Sequence, residues 1–379
     1  EVVIIGTGFA GIGMAIKLQR AGVHSFKLIE RSNEVGGTWR DNTYPGCECD
    51  VQSHLYSLSF EPKTDWTKKY STWNEIRDYI IDVTDKHNLR KKIQFNTALT
   101  GANFDTETGT WLVTLSDGSK LRSRIVITAV GPLSNPAIPD IAGKDSFKGP
   151  IFHSAKWDHA VDLKDKKVAV IGTGASAIQF VPHVAKTAEK LELFQRSAPW
   201  ILPKPDRKFF SFEKALFKYF PGWRLANRAA IYWANEFTLI GFLKEKSFIR
   251  PIAEWMATRH IHRHIKDEVL RKKLTPNFRF GCKRALLSND YYPALTRDNV
   301  EVVDAGIEKI TETGIVDKNG QFHQADVIIW GTGFKVDEPL LGVDIIGSEG
   351  QNLNSVWKEN GFETSYGTTV SGFPNAFML

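Results

Sequence analysis

The chain is poor in cysteine. Three in 379 residues, Cys47, Cys49 and Cys282, cannot close a disulfide framework, and two of them stand only one residue apart, so a reducing cytosol is the expected setting. Apolar runs of the ~18 residues that would span a bilayer are missing too, and no basic, apolar, small-residue leader precedes the first strand. The expectation is a soluble, cytoplasmic protein. Charge of one sign is also scarce: 49 Lys and Arg face 43 Asp and Glu, a net charge of +6. So diffuse an excess suits phosphorylated cofactors and argues against a nucleic-acid partner. What is plentiful is apolar residues, 42% of the chain, enough for a large core divided among two or three domains. The sequence opens on Glu1 inside a strand pattern, without an initiator Met, and stops at "SGFPNAFML", a turn and an apolar run like the start of another strand. It reads as part of a longer chain.

The first segment, "EVVIIGTGFAGIGMAIKLQRAG", is a short apolar strand, Val2 to Ile5, followed by Gly6, Gly8 and Gly11 at G-x-G-x-x-G spacing and then by helical periodicity. Each glycine serves a separate physical need. Gly6 turns the chain, Gly8 admits a pyrophosphate to the backbone, and Gly11 lets helix and strand pack closely. Phe9 and Ala10 open the helix, whose N-terminus faces the phosphates. The next strand, "FKLIE", ends in Glu30, an acceptor for ribose hydroxyls. The pattern predicts a dinucleotide without a 2'-phosphate. "RSNEVGGTW" follows, with Gly36 and Gly37 forming a backbone turn and Thr38 and Trp39 placed to line a flavin.

The same grammar recurs in "KKVAVIGTGASAIQFVPHVAKTAEKLELFQRS". Val168 to Ile171 form the strand, and Gly172, Thr173, Gly174, Ala175, Ser176 and Ala177 form the loop and helix start. Here the second strand ends in Arg196, with Ser197 beside it. Arginine can hold a 2'-phosphate through two hydrogen bonds where a carboxylate would repel it, so this half favours NADP. FAD on the first loop and NADPH on the second is the natural assignment, and no metal is expected. Two more apolar strands, "IVITAVG" and "ADVIIWGTGF", end in small residues where the chain can cross between cofactor domains.

The fold class expected is α/β, with two Rossmann-like dinucleotide-binding domains and a helical insertion in the second. Residues 1–136 with 335–379 form the FAD domain, 147–205 with 280–334 the NADP domain, and 206–279 the insert. The insert is rich in Phe, Trp and Tyr. Its stripe is expected to pack against the protein itself rather than lie on a membrane. "HIHRH", His260 to His264, lacks the Cys or Glu-x-x-His partners of a metal site.

One stretch remains, "FKGPIFHSAKWDH". Phe147, Gly149, His153, Trp157 and Asp158 meet every position of F-x-G-x-x-x-H-x-x-x-W followed by Pro or Asp. With both glycine loops in the same order, the chain resembles the class B flavoprotein monooxygenases, and within them the Baeyer-Villiger monooxygenases, over nearly its whole length. Oxygenases of amines and sulfides carry Tyr or Phe at the last aromatic, so Trp157 points to the ketone-oxidising branch. "TYPGCECDVQSHLYSLSF" resembles the family's loop beside the flavin, which implies roles there for Asp50 and Tyr56. "GCECD" departs from the commonest wording of that loop. "FGCKRALLSNDYYPAL" resembles the segment bearing the family's catalytic Arg, here Arg284, with Lys283 reaching the NADP phosphate. Leu99 belongs with the implied flavin contacts.

The resemblance implies that NADPH reduces FAD, that reduced flavin and O2 form a flavin peroxide, and that this attacks a ketone to give an ester or lactone. A fixed cation in a dry site is what such an anion needs. Arg284 fits the role, with Asp50 holding it. Phe147 and Trp157 are expected to pack a joint between domains, and His153 to make a hydrogen bond sensitive to domain position. An amine or sulfide oxygenase on the same scaffold, a flavin disulfide reductase and a non-catalytic nucleotide-binding module are the rival readings. The reductase needs two cysteines with four residues between them. The physiological ketone and the oligomeric state are open at this level.

Overall fold

A computed structural model describes residues 1–243, 249–336, 340 and 342–379. Contacts divide the chain into two compact units, Glu1–Asp41 with Asn74–Pro136 and Phe334–Leu379, and Asn42–Trp73 with Ala137–Gly333.

The first unit is organised by a five-stranded parallel sheet in the order Ala376–Met378, Ile125–Thr128, Val2–Ile5, Phe26–Ile29, Ile93–Gln94. All four residues of its central strand, "VVII", are buried. A continuous apolar strand of this kind belongs in a parallel sheet covered on both faces. The helix Phe9–Arg20 follows and buries Ile12, Ala15 and Ile16, a spacing of three and four residues that keeps them on one face. A four-stranded sheet, Asp344–Ile346, Leu99–Asp105, Thr110–Leu115 and Lys120–Ser123, shares a core with the parallel sheet. Trp111 is its largest fully buried side chain and donates its indole N–H to the Pro374 carbonyl at 2.8 Å.

The second unit repeats the plan. Its parallel sheet runs Val300–Val303, Lys190–Phe194, Lys167–Ile171, Val327–Trp330, Ile151–His153, and the helix Ala175–Thr187 follows the Lys167–Ile171 strand. The helices Ser211–Tyr219, Pro221–Leu243, Ile249–His264 and Glu268–Leu274 fill the insert. Ala253 and Ala257 of the third pack against Trp200 and Phe280.

One expectation changes. Residues 42–73, which the sequence pattern assigns to the first domain, cluster with the second unit. Within the fingerprint, Ile151–His153 pairs in parallel with Ile328, Ile329 and Trp330 and forms the edge of the second sheet. Its Gly149 is needed because a Cβ there would lie 2.3 Å from the Asp326 carbonyl oxygen and 2.7 Å from the Phe147 ring.

Candidate functional site

The two glycine loops are built alike. Gly6 and Gly172 have φ of +102° and +106°, and a Cβ on either would clash with a carbonyl oxygen, 2.5 Å from Ala129 O and 2.4 Å from Gly331 O. In the first loop Gly11 lies against Ala129; in the second Ala177 lies against Gly331. A Cβ on Gly331 would lie 3.1 Å from the Ala177 Cβ, whereas Gly11 is required because a Cβ there would lie 2.0 Å from the Gly6 carbonyl oxygen. This is why the small residues ending "IVITA" and "IIWG" matter.

Both loops fit a pyrophosphate. Beside Gly8 the nearest atom to an added Cβ is Gly37 Cα at 3.8 Å, and beside Gly174 it is Gly331 O at 3.7 Å, so the backbone there is open to a ligand. Gly8 and Gly174 are the N-caps of their helices. Neither cap has a side-chain hydrogen bond, and neither first turn carries an acid, so the helix-end N–H groups are kept for an anion.

The two strand ends carry different partners. Glu30 is buried, and its Oε2 accepts from the Thr7 N–H at 3.1 Å and the Thr7 hydroxyl at 2.6 Å. Its Oε1 accepts from the Ser32 N–H at 2.9 Å and pairs with Arg40 at 2.9 Å. A carboxylate has about four lone-pair sites, so a ribose hydroxyl binding at Glu30 would take the place of one of these partners. Thr7 and Arg40 carry no signal of this role in the sequence. At the other end Arg196 is exposed, Thr173 donates to the Ser197 carbonyl at 3.1 Å, and Lys283 reaches the Ser197 hydroxyl at 3.0 Å. Thus Thr173, Ser197 and Lys283 meet at the end of the second strand with Arg196 adjacent in the chain. A cluster of two cations and a hydroxyl has the donor chemistry for a phosphate monoester.

Asp50 and Arg284 also meet. Arg284 Nη2 donates to Asp50 Oδ2 at 2.5 Å, and the Arg284 side chain is 67% exposed. Asp50 is held by the backbone that precedes it. The Glu48 N–H donates to Gln179 Oε1 at 3.3 Å, Gln179 Nε2 donates to the Glu48 carbonyl at 2.9 Å, and the Tyr44 hydroxyl donates to the same Oε1 at 2.9 Å. Gly46 lets the loop approach this closely, because a Cβ there would lie 2.7 Å from the Gln179 carbonyl oxygen. The Glu48 carboxylate pairs with Lys68 and, at 2.5 Å, with Lys204. Burial alone would raise its pKa, but the two ammonium groups outweigh it and the net shift is downward. These contacts explain why residues 42–73 join the second unit. Gln179 carried no sequence signal, since a Gln inside a helix has no distinguishing pattern.

Cys47 and Cys49 lie within the loop, both buried, and burial pushes each thiol up to about 12. They stay protonated near neutrality and are poor redox nucleophiles, which counts against the disulfide reductase.

In the fingerprint, His153 is buried. Its Nδ1 accepts from the Ala155 N–H at 3.0 Å, and burial, only partly opposed by a hydrogen bond with the Gly333 backbone, lowers its pKa to about 4. Trp157 packs against Phe152 and Phe180 with ring centroids 5.2 and 5.3 Å away. Phe180 touches Tyr44 edge-on at 6.0 Å, and His159 shares a 2.8 Å hydrogen bond with Thr43. The fingerprint therefore leans on the segment that leads to Asp50. Of the remaining candidates, Tyr56 lies in the same loop, Trp39 is buried in the short helix Thr38–Asp41, and Leu99 is buried in the core of the first unit.

A pair of glycine-loop sheets, one ending in an acid and one in cations, defines an oxidoreductase fold for two dinucleotides. Comparison with known proteins agrees. A family model described as flavin-binding monooxygenase-like matches residues 1–360. A Baeyer-Villiger monooxygenase of Pseudomonas aeruginosa is 44% identical over 379 residues, all of this chain and 72% of the relative. One of Streptomyces coelicolor is 42% identical over 375 residues, 99% of this chain and 72% of the relative. Among solved structures, an oxidised steroid monooxygenase bound to NADP superposes with a TM-score of 0.87 at 32% identity, covering 100% of this chain and 80% of the other. An open cyclohexanone monooxygenase gives 0.88 at 30%, covering 100% and 82%. The chain belongs to the flavin-binding monooxygenase-like family.

Proposed function

We propose that the protein is an FAD-containing, NADPH-dependent Baeyer-Villiger monooxygenase. It consumes a ketone, O2, NADPH and a proton, and yields an ester or lactone, NADP+ and water. The observation that carries this reading is the Asp50–Arg284 ion pair, formed between residues 234 apart in the chain, together with the intact fingerprint ending in Trp157.

The first loop, Gly6 to Gly11 with Glu30, would hold FAD, with Gly37, Thr38 and Trp39 alongside. The second loop, Gly172 to Ala177, would hold NADPH with its 2'-phosphate on Arg196, Ser197 and Lys283. When bound, FAD supplies oxygen activation and NADPH supplies the hydride. The chain's own contribution is electrostatic. A guanidinium keeps its protons at any working pH, so Arg284 faces a developing oxyanion as a permanent cation and cannot quench it by proton transfer. Its bond to Asp50 uses one of five N–H donors and sets the direction of the others. Asp50 is in turn aimed by Glu48, which Gln179 holds from both sides. His153 stays neutral at pH 7 because of its burial and is a hydrogen-bonding group rather than a charge. Its bond with Gly333, the last residue of the second unit, is the one we assign to sensing the position of the chain where it leaves that unit.

The test is direct. Anaerobic NADPH should bleach the flavin's visible absorbance, and on admission of air with a ketone the ester should appear. Sulfoxide from a thioether with no ester from any of a panel of cyclic, linear and aryl ketones would favour the sulfur-oxidising branch. NADPH binding without bleaching would remove the enzyme reading altogether.

A further inference from the structure

The aromatic stripe of the insert does not pack against the protein as its sequence suggests; it faces solvent. On the helix Pro221–Leu243, Arg224, Arg228 and Ile231 form the inward line. Ile231 is buried, and Arg228 donates to the His54 carbonyl at 2.7 Å and to the Ser57 carbonyl at 3.2 Å. Trp233, two residues and about 200° further round, begins the opposite line with Phe237 and Ile240. Trp233 is 57% and Phe237 65% exposed. Phe212 and Tyr219 on the preceding helix and Trp255 on the following one are equally open, Trp255 at 61%. The three helices pack in sequence, and Gly241 meets Ile249 so closely that an added Cβ would lie 2.3 Å from its Cδ1. With roughly 200 Å² per aromatic side chain and more than half of each in water, these aromatics together expose on the order of 600 Å².

Charge decides what covers this face. Across residues 206–279, the exposed charged side chains among the described residues are Arg207, Lys208, Lys218, Arg259, Arg263, Lys266, Lys272 and Arg279 against only Asp267 and Glu268, and although Glu213 pairs with Arg207 the excess is clearly cationic. A second copy of the chain laid face to face would bring these cations together, which is unfavourable. Tryptophan and tyrosine beside Lys and Arg is instead the composition that settles at the boundary between acyl chains and anionic headgroups. No described helix is long and apolar enough to cross a membrane. We propose that the outer face of the insert docks the protein onto an anionic lipid bilayer, with Trp233 and Phe237 entering the acyl boundary and Lys208 and Lys218 resting on the phosphates.

The full chain with its cofactors would be sedimented with vesicles of phosphatidylcholine alone or mixed with phosphatidylglycerol. The expected result is binding about tenfold stronger to the anionic vesicles, falling as salt is raised, because the cations act through a screened field. The double variant W233S/F237S should bind about tenfold more weakly at unchanged melting temperature and flavin content, since both side chains stand in water already. K208E/K218E should lose the preference for anionic vesicles. Failure to bind anionic vesicles, or equal binding by wild type and W233S/F237S, overturns the proposal. So does a wild-type protein that is dimeric without lipid and becomes monomeric in W233S/F237S, which would assign the face to a second copy.

Discussion

Gln179 and Glu48 exchange hydrogen bonds in both directions across 131 residues: the carboxamide oxygen accepts from the Glu48 N–H at 3.3 Å and the carboxamide nitrogen donates to its carbonyl at 2.9 Å. A side-chain amide here does what a neighbouring strand would do, and it fixes the backbone two residues before Asp50. Gln179→Ala should cost about 1 to 3 kcal/mol of stability. Its diagnostic effect is a higher ratio of hydrogen peroxide to ester at an unchanged KM for NADPH. A change in melting temperature alone, with the ratio intact, would leave Gln179 a purely structural residue.

Arg284→Ala should retain both cofactors and lose about 3 to 4 kcal/mol of transition-state stabilisation, a drop in ester formation of two to three orders of magnitude. Arg284→Lys keeps the charge but not the planar fork and should recover only part. Ester yield per NADPH, measured beside flavin content, checks this. Undiminished yield from the Ala variant would remove Arg284 from the chemistry.

The second loop makes a separate prediction about cofactor choice. Arg196→Ala should raise KM for NADPH roughly tenfold or more, through loss of a charge-assisted contact worth about 1.5 to 3 kcal/mol, while KM for NADH stays nearly constant. Equal effects on both cofactors would show that Arg196 does not read the 2'-phosphate.

Two buried histidines set a pH dependence. Burial, with Arg224 and Arg228 adding to it at His54, lowers both His54 and His153 to about 4 from an ordinary value near 6.5. The unfolded chain takes up these protons near 6.5 and the folded chain refuses them until about 4, so stability is complete above 6.5 and is lost as pH falls towards 4. The loss should be roughly 1 to 3 kcal/mol per histidine, since each pH unit separating the folded and unfolded values is worth about 1.4 kcal/mol. Melting temperatures between about pH 7.5 and about pH 4.5 measure it, and His153→Gln should flatten the curve. A profile equally steep in that variant would mean other groups dominate.

The tight contact between Ala177 and Gly331 can be tested by moving its methyl group. Gly331→Ala places a Cβ 3.1 Å from the Ala177 Cβ and should destabilise by about 1 to 3 kcal/mol through overpacking. Adding Ala177→Gly should restore much of that loss. A double variant no more stable than Gly331→Ala would locate the strain elsewhere.

Local chemistry was legible in the sequence wherever one short segment carries the whole reason for its residues. The order of strand, glycine loop and helix, the acid at Glu30 against the cation at Arg196, and the fingerprint from Phe147 to Asp158 all depend on backbone conformation and charge within a few residues. The tertiary structure decided what depends on distance in the chain. It placed Gln179 behind Glu48, Thr7 and Arg40 on Glu30, and Lys283 at Ser197. It moved residues 42–73 into the second unit and placed the fingerprint on the edge of its sheet. It also turned the aromatic stripe of the insert outward, because hydrophobic periodicity tells which face of a helix is apolar but not whether anything stands opposite. Contacts between residues from about ten to more than a hundred positions apart leave no periodic trace, since each partner is chosen by the packed shape around it and not by its own neighbours.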